Sequence, residues 1–230
     1  DEIVELSKKA STATISYMLY SQGFGFVCME GVLPIKEGTV MAGRAFTLRY
    51  LPRREDHSQM GPGRPNYAQH IAIETIGSGE VLVVDARGNA KAGIFGDILV
   101  ARMEYRGSVG LVTDGALRDA PFLRASGFPC FVGGIHPYGH SPEHWAADVQ
   151  LAVACGGVTV YPGDLIVGDD DGVVVCPQAI AEEIIREAVD EENREVFMRK
   201  IVENGASVND IHPLSPEMEN EYQGWLKSRP

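Results

Sequence analysis

Two hydrophobic patterns alternate along the first part of the chain. Continuous apolar runs at 81–84, 109–113 and 129–132 are typical of strands that are buried in a sheet. Between them, apolar positions recur at helical spacing, most clearly over 98–106, and Gly107 ends that pattern. Because short helices alternate with buried strands, the sequence predicts an α/β protein with a mixed sheet and flanking helices.

The pattern changes in the second part of the chain. Three apolar runs, at 157–161, 164–167 and 172–176, are separated by turn sequences rich in glycine, proline and aspartate. We predict a β meander here, followed by one long C-terminal helix over 177–204 with a single apolar stripe. The last segment, 213–230, is expected to be a tail that packs on the domain or on a neighbouring subunit.

Length and composition fit one catalytic domain, 1–212, followed by that tail. The 230-residue chain has a net charge of −12, which argues against nucleic-acid binding because such binding needs a basic face. Its apolar runs are too short to span a membrane, and it shows no signal-peptide pattern. Four cysteines without zinc or CxxC spacing are expected to be free thiols of a cytoplasmic protein.

The strongest candidate for chemistry is the stretch from Gly96 to Asp119. Gly96 and Asp97 open a helical pattern, while Arg118 and Asp119 follow a buried strand, where ligands collect in α/β sheets. The twenty residues between Asp97 and Arg118 are enough for a helix and a strand that return to the same edge. Arg118 suits an oxyanion, and Asp119 suits a hard cation such as Mg²⁺ or Mn²⁺. By these residues alone, a Gly-Asp helix start is more often a simple N-cap, and an Arg-Asp pair is more often a surface ion pair.

Two polar segments could border this site. Segment 52–65 is either a solvated insertion or a loop that selects the substrate. Its candidate side chains are Arg53, Arg54, His57 and Arg64. Segment 135–145 contains His136, His140 and His144, each four residues apart. Because Pro137, Gly139 and Pro142 prevent a regular helix, we expect a polar loop rather than a metal-binding helix face.

The segment GDILVARMEYRGSVGLVTDGALRD, which ends at Asp119, resembles the signature of the RraA-like family. That family includes the class II 4-hydroxy-4-methyl-2-oxoglutarate aldolases, and its D-x20-R-D hallmark fits Asp97, Arg118 and Asp119 without a gap. The resemblance extends over most of the chain, from 11–14 through 163–175. It implies a swivelling β/β/α-type fold and a homotrimer or homohexamer with sites at subunit interfaces.

The resemblance also implies a role for each site residue. Asp119 would bind a Mg²⁺ or Mn²⁺ ion directly, and Asp97 would hold that ion through a water molecule. Arg118 would contact a small 2-oxo acid and stabilise its enolate. The backbone amides that would hold the substrate carboxylate belong to Gly96, Asp97, Ile98 and Leu99. The implied enzyme is a lyase that cleaves a 4-hydroxy-2-oxo acid to pyruvate, with oxaloacetate decarboxylation as a side activity.

A second hypothesis is a non-catalytic regulator that binds a ribonuclease, since the family is named for such an inhibitor. That regulator has Gln at the position of Asp119, so the Asp favours an enzyme. Departures from the family pattern at 16–19, at Phe95 and in the 52–65 insertion leave the substrate open. A carboxylate from the long helix of an adjacent subunit, Glu192 or Glu195, is a further candidate for completing the site.

Overall fold

The structure is a computed structural model that describes residues 1–54, 56, 67–139, 143–211 and 214–228. Its helices are α1 (Glu2–Ser7), α2 (Thr12–Ser21), α3 (Ala68–Thr75), α4 (Asp97–Tyr105), α5 (Ala120–Ser126), α6 (Ala181–Glu203) and α7 (Pro216–Ser228). Its strands are β1 (Leu33–Pro34), β2 (Met41–Pro52), β3 (Glu80–Asp85), β4 (Gly93–Phe95), β5 (Gly110–Leu117), β6 (Cys130–Ile135), β7 (His144–Val149), β8 (Val153–Cys155), β9 (Val158–Val160), β10 (Leu165–Asp169) and β11 (Gly172–Cys176). Within these residues, no helix combines the length and apolar composition needed to cross a bilayer.

The main sheet has the strand order β1-β6-β5-β3-β2-β10-β11. Strands β2, β3, β5 and β6 run parallel to their neighbours in this set, whereas β1 and the β10–β11 hairpin pair antiparallel. Short β4 extends the sheet beside the end of β5, and β7 pairs with β2. The two ends of the order, β1 and β11, contact each other, so the sheet is nearly closed. The predicted mixed α/β architecture with flanking helices is confirmed.

Both faces of the central strands are buried. In β3, Val81 and Val83 point into the interior of the nearly closed sheet, while Leu82 and Val84 pack outward beneath the helices. This two-sided burial explains why the strand is a continuous apolar run rather than an alternating one. Helices α3 and α4 cover one outer face, and α1, α2 and α6 cover another.

The C-terminal segment contains a helix that packs on α6. The Phe197 ring of α6 lies 5.4 Å from the Tyr222 ring and 5.6 Å from the Trp225 ring of α7, measured between centroids. An ion pair between Arg194 and Glu219 joins the same two helices. In this chain α7 therefore packs on its own domain.

The predicted β meander is wrong in its first connection. Strand β9 pairs with β8 in a separate two-stranded sheet and does not pair with β10. The chain turns away at Gly163, whose N–H donates to the Ala45 carbonyl at 2.9 Å, and β10 then joins β2. The β10–β11 hairpin forms as predicted. The long helix begins at Ala181, because residues 178–180 form a separate 3-10 turn.

Strand β7 corrects the expectation that 135–145 is only a loop. Its first residue, His144, pairs with Pro52, so the end of this segment belongs to the sheet. His140, the middle histidine of this segment, lies outside the described residues. The same is true of His57 and Arg64 in the predicted substrate-selecting segment 52–65.

Glu192 is engaged within its own chain. One of its carboxylate oxygens accepts hydrogen bonds from the Ser11 backbone N–H at 3.0 Å and from the Thr14 hydroxyl at 2.8 Å. These contacts hold the start of α2 against α6. Glu192 would have to give them up before it could reach a neighbouring subunit.

Candidate active site

Strands β4 and β5 deliver both halves of the predicted site to one sheet edge. They pair in parallel as far as Phe95 and Leu117. The Arg118 N–H extends the pairing by donating to the Phe95 carbonyl at 3.0 Å. Since Gly96 follows β4 directly and Asp119 closely follows β5, the structure brings the two ends of the D-x20-R-D stretch together.

The Asp119 carboxylate contacts both Arg118 and the backbone of Asp97. Its Oδ2 lies 3.3 Å from Arg118 Nε and 3.4 Å from the backbone nitrogen of Asp97. The side chains of Arg118 and Asp119 are 48% and 40% exposed, so a ligand in solvent can reach both. A negative charge here is favoured by the guanidinium and by the N-terminus of α4.

The backbone of Asp119 directs this carboxylate away from its own helix. Asp119 has left-handed dihedrals, φ 58° and ψ 34°, and its side chain does not cap α5. Its carbonyl instead accepts from the Phe122 and Leu123 amides at 3.0 and 3.2 Å. A non-glycine residue in this conformation costs on the order of 1 kcal/mol, and such strain clusters at functional sites.

Gly96 is required by close approach rather than by its backbone dihedrals. A Cβ atom at this position would lie 2.3 Å from Asp119 Oδ2 and 2.9 Å from Arg118 Nε. Any side chain at residue 96 would therefore push the carboxylate and the guanidinium apart.

The start of α4 already binds carboxylate groups of the chain. The Ile98 N–H donates to Asp97 Oδ1 at 2.7 Å, and the Asp97 N–H points to Asp119. Two of the four amides predicted to hold a substrate carboxylate, those of Gly96 to Leu99, are thus occupied. This occupancy shows the affinity of the helix N-terminus for anions, and an incoming carboxylate would compete with the Asp97 side chain.

Exposed apolar side chains surround the site. Ile98, next to Asp97, is 76% exposed, and Phe122, bonded through its amide to Asp119, is 50% exposed. Tyr138 is 51% exposed. Apolar side chains grouped in this way on a surface are typical of a contact with another molecule.

Two acidic residues that sequence analysis did not single out shape the loop before β4. Asp114 accepts hydrogen bonds from the amides of Ala86 at 2.7 Å and Gly88 at 2.8 Å. Asp85 accepts from the amide of Arg87, which has a positive φ of 62°, at 2.9 Å. Burial raises the pKa of Asp114, and these N–H donors oppose the rise. The position of each Asp at the end of an apolar run was the available signal.

His144 contacts Arg87 of the same loop. The residue is only 2% exposed, and its Nδ1 lies 3.1 Å from Arg87 Nη2. Because a guanidinium can only donate, Nδ1 accepts and the neutral ring carries its proton on Nε2. Burial, and next the Arg87 cation, lower the pKa of His144, while Glu143 and the backbone of Asn89 oppose that shift.

We expect His144 to make the protein less stable in mild acid. As the pH falls below the ordinary His pKa of 6.5, the unfolded chain takes up a proton that folded His144 resists, so the free energy of unfolding decreases. In thermal melts between pH 5 and 7.5, the melting temperature of wild type should fall by a few °C more than that of His144→Gln. Gln can accept from Arg87 but does not titrate, so equal pH slopes would contradict the assignment.

The donor set at the sheet edge suits a hard divalent cation. Over the residues that the structure covers, no three His, Cys, Asp or Glu side chains cluster closely enough to hold a metal ion alone. Asp97 and Asp119 offer two carboxylates within one site. One or two carboxylates, completed by waters and substrate oxygens, is the usual environment of Mg²⁺, whereas zinc prefers nitrogen and sulfur ligands.

Comparison with known proteins places this arrangement in a family. The model of the RraA-like group (Aldolase/RraA) matches residues 12–175, which include Asp97, Arg118 and Asp119. The chain belongs to the RraA-like family. A relative from Halalkalibacterium halodurans, provisionally named a 4-hydroxy-4-methyl-2-oxoglutarate aldolase, is 35% identical over 155 residues, or 63% of this chain and 73% of the relative.

Solved structures show the same RraA-like fold. The crystal structure of RraAS2 from Streptomyces coelicolor, described as an unusual member of the RNase ES inhibitor RraA family, is 38% identical with a TM-score of 0.80. The match covers 86% of this chain and 97% of RraAS2. An uncharacterized protein from Pseudomonas syringae is 27% identical with a TM-score of 0.79, covering 91% of this chain and 96% of its own. The resemblance predicted from the sequence is therefore confirmed.

Proposed function

We propose that this RraA-like protein is a divalent-metal-dependent lyase. It cleaves a 4-hydroxy-2-oxo acid, such as 4-hydroxy-4-methyl-2-oxoglutarate, to pyruvate, and it decarboxylates oxaloacetate as a side reaction. The observation that carries the proposal is the Asp119 carboxylate, 3.3 Å from Arg118 Nε and beside the N-terminus of α4. The provisional aldolase name of the Halalkalibacterium relative supports it.

Asp119 and Asp97 are the residues that would hold the Mg²⁺ or Mn²⁺ ion. Asp119 would bind directly, because its side chain does not cap its own helix and because Gly96 leaves the space beside Oδ2 free of a Cβ. Asp97 would act through a water molecule. A cation bound there supplies Lewis-acid polarisation of the 2-oxo group.

Arg118 and the start of α4 would bind and orient the substrate. The amides from Gly96 to Leu99 hold the carboxylate end, in place of the Asp97 side chain that now occupies part of this position. Arg118 donates to the 2-oxo oxygen through its planar guanidinium.

The proposed reaction is a retro-aldol cleavage. A base removes the proton of the 4-hydroxyl group, that oxygen forms a carbonyl, and the C3–C4 bond breaks. The electron pair of that bond moves into the enolate of pyruvate, whose oxygen faces the positive charge of Arg118. A water held by Asp97 returns a proton to C3, which completes pyruvate.

The protein is proposed to form a homotrimer or homohexamer with the site at a subunit interface. The exposed side chains of Ile98, Phe122 and Tyr138 around the site support this, because a second subunit would remove them from water. Sedimentation equilibrium should give a mass of three or six chains, and a monomer would contradict it. The free state of all four cysteines supports the expected cytoplasmic location.

A non-catalytic ribonuclease regulator is the second candidate function. The 38% identity to RraAS2, described as a member of an RNase ES inhibitor family, favours it. Asp119 favours the lyase, because a regulator that only binds a protein has no need of a carboxylate that a left-handed backbone holds beside an arginine.

A screen of 2-oxo acids in a pyruvate-coupled assay tests the lyase proposal. With Mg²⁺ present, we expect pyruvate from at least one 4-hydroxy-2-oxo acid and more slowly from oxaloacetate. Inhibition of an RNase E-type enzyme by the same preparation, without pyruvate from any acid in the panel, would support the regulator instead.

A further inference from the structure

His136 is the cross-strand neighbour of Arg118. Strands β5 and β6 run parallel with Leu117 opposite Ile135, and the His136 N–H continues the pairing by donating to the Leu117 carbonyl at 2.8 Å. In a parallel pair, residues in register project from the same face of the sheet. Arg118 and His136, each one residue further along, therefore share a face.

The backbone of His136 is fixed to the strand that delivers the site. A Cβ at Gly93 of β4 would lie 2.8 Å from the His136 carbonyl oxygen and 2.9 Å from Arg118 Cβ. The Gly93 N–H also donates to the Tyr138 carbonyl at 2.7 Å. His136 is thus held close to the base of Arg118 by backbone contacts on two strands.

The orientation of the His136 ring is set by a hydrogen bond. Its Nδ1 accepts from the Tyr138 N–H at 3.1 Å, so the neutral ring carries its proton on Nε2. The Tyr138 ring lies edge-on, 6.4 Å away between centroids. The side chain is half-buried, and Nε2 makes no hydrogen bond to any residue that the structure describes. The Nε2–H group of His136 is therefore available to donate a hydrogen bond to a ligand.

The two strands that flank the end of β5 lead to groups of different charge. β4 lies on one side of the end of β5 and leads to Asp97, whereas β6 lies on the other side and leads to His136. On the β4 side, the amides at the start of α4, beside Asp97 and Asp119, would already hold the first carboxylate of the substrate. On the β6 side a second carboxylate would meet a nitrogen donor.

We propose that His136 determines specificity by donating from Nε2 to a distal carboxylate of the substrate. This inference rests on the proposed function and assigns the residue that would recognise the second carboxylate of its dicarboxylic substrates. Arg118 and the amides at the start of α4 hold the 2-oxo acid end, and His136 selects the far end.

Paired substrates test this role. His136→Ala should lower kcat/KM for 4-hydroxy-4-methyl-2-oxoglutarate by roughly 10- to 100-fold, mainly through KM, as expected for losing a charge-assisted hydrogen bond. It should change kcat/KM less than about twofold for 4-hydroxy-2-oxopentanoate, which lacks the second carboxylate. His70→Ala on α3 is the matched control and should alter neither value. An equal loss on both substrates, or no loss, would overturn the role.

A binding measurement separates this inference from the lyase proposal. If wild type cleaves neither substrate, the proposed function fails, and ligand binding then decides the role of His136. With Mg²⁺ present, 2-oxoglutarate should shift the NMR signal of the His136 ring, assigned by its absence in His136→Gln, whereas 2-oxobutyrate should not. If 2-oxoglutarate leaves that signal unchanged, or if both acids shift it equally, the inference is wrong.

Discussion

Asp119→Asn is expected to abolish pyruvate release while leaving the protein folded. Asn has nearly the same shape and also tolerates left-handed dihedrals, so the bonds from its carbonyl to α5 should survive. The amide, however, carries no negative charge and offers one acceptor oxygen instead of two. With Mg²⁺ at saturation, kcat/KM should fall by about 10³-fold or more, as for loss of a principal electrostatic group.

Asp170→Asn is the matched control for this experiment. Asp170 lies in the exposed β10–β11 turn, where it accepts from the Gly38 amide at 2.8 Å. The change removes the same charge far from the site, so kcat/KM should match wild type. Circular dichroism should show both variants folded, and an Asp119→Asn enzyme within tenfold of wild type would contradict the metal assignment.

Arg118→Ala is expected to lower kcat by about 10²- to 10³-fold, because the guanidinium would stabilise charge that develops only as the C–C bond breaks. Arg118→Lys should recover a small part of this activity. The ammonium keeps the charge but cannot reproduce the planar fork that faces both Asp119 and the substrate. Steady-state kinetics under saturating substrate and Mg²⁺ measure both variants.

Arg102→Ala on α4 is the control for the loss of an arginine. Arg102 forms an exposed ion pair with Glu74, a kind of surface pair that contributes little to stability, and it takes no part in the proposed chemistry. Its kcat should stay at the wild-type value. If Arg118→Ala raised KM and left kcat unchanged, Arg118 would serve binding alone.

The central fold could be predicted because its strands carry a strong signal. Val81 and Val83 face the interior while Leu82 and Val84 face the helices. Because both faces of the strand are buried, every position is apolar, and the sequence shows an unbroken apolar run. Strand β4 carried no such signal. It has three residues, and its pairing with β5 defines it.

The meeting of Asp97 with Arg118 and Asp119 followed from spacing and from the positions of helix and strand. The details of the site did not. The left-handed backbone of Asp119 and the contact of Gly96 with its carboxylate depend on how β4 lies against β5, a non-local pairing that local patterns do not encode. The place of His136 beside Arg118 depends in the same way on the β5–β6 register.

The wrong β meander has a related cause. Turn residues such as Pro162 and Gly163 indicate where the chain reverses, but they do not indicate which strand it joins next. Here the Gly163 N–H donates to the Ala45 carbonyl of β2, and the next strand, β10, pairs with β2 rather than with β9.

Metal-dependent release of pyruvate tests the central claim most directly. Purified protein, stripped with EDTA and dialysed, would be given 4-hydroxy-4-methyl-2-oxoglutarate, and pyruvate would be followed with lactate dehydrogenase while Mg²⁺ is added stepwise. The account predicts no pyruvate without the cation and a saturable return of activity with Mg²⁺ or Mn²⁺, absent in Asp119→Asn. Turnover that persists at the full rate in EDTA would contradict it.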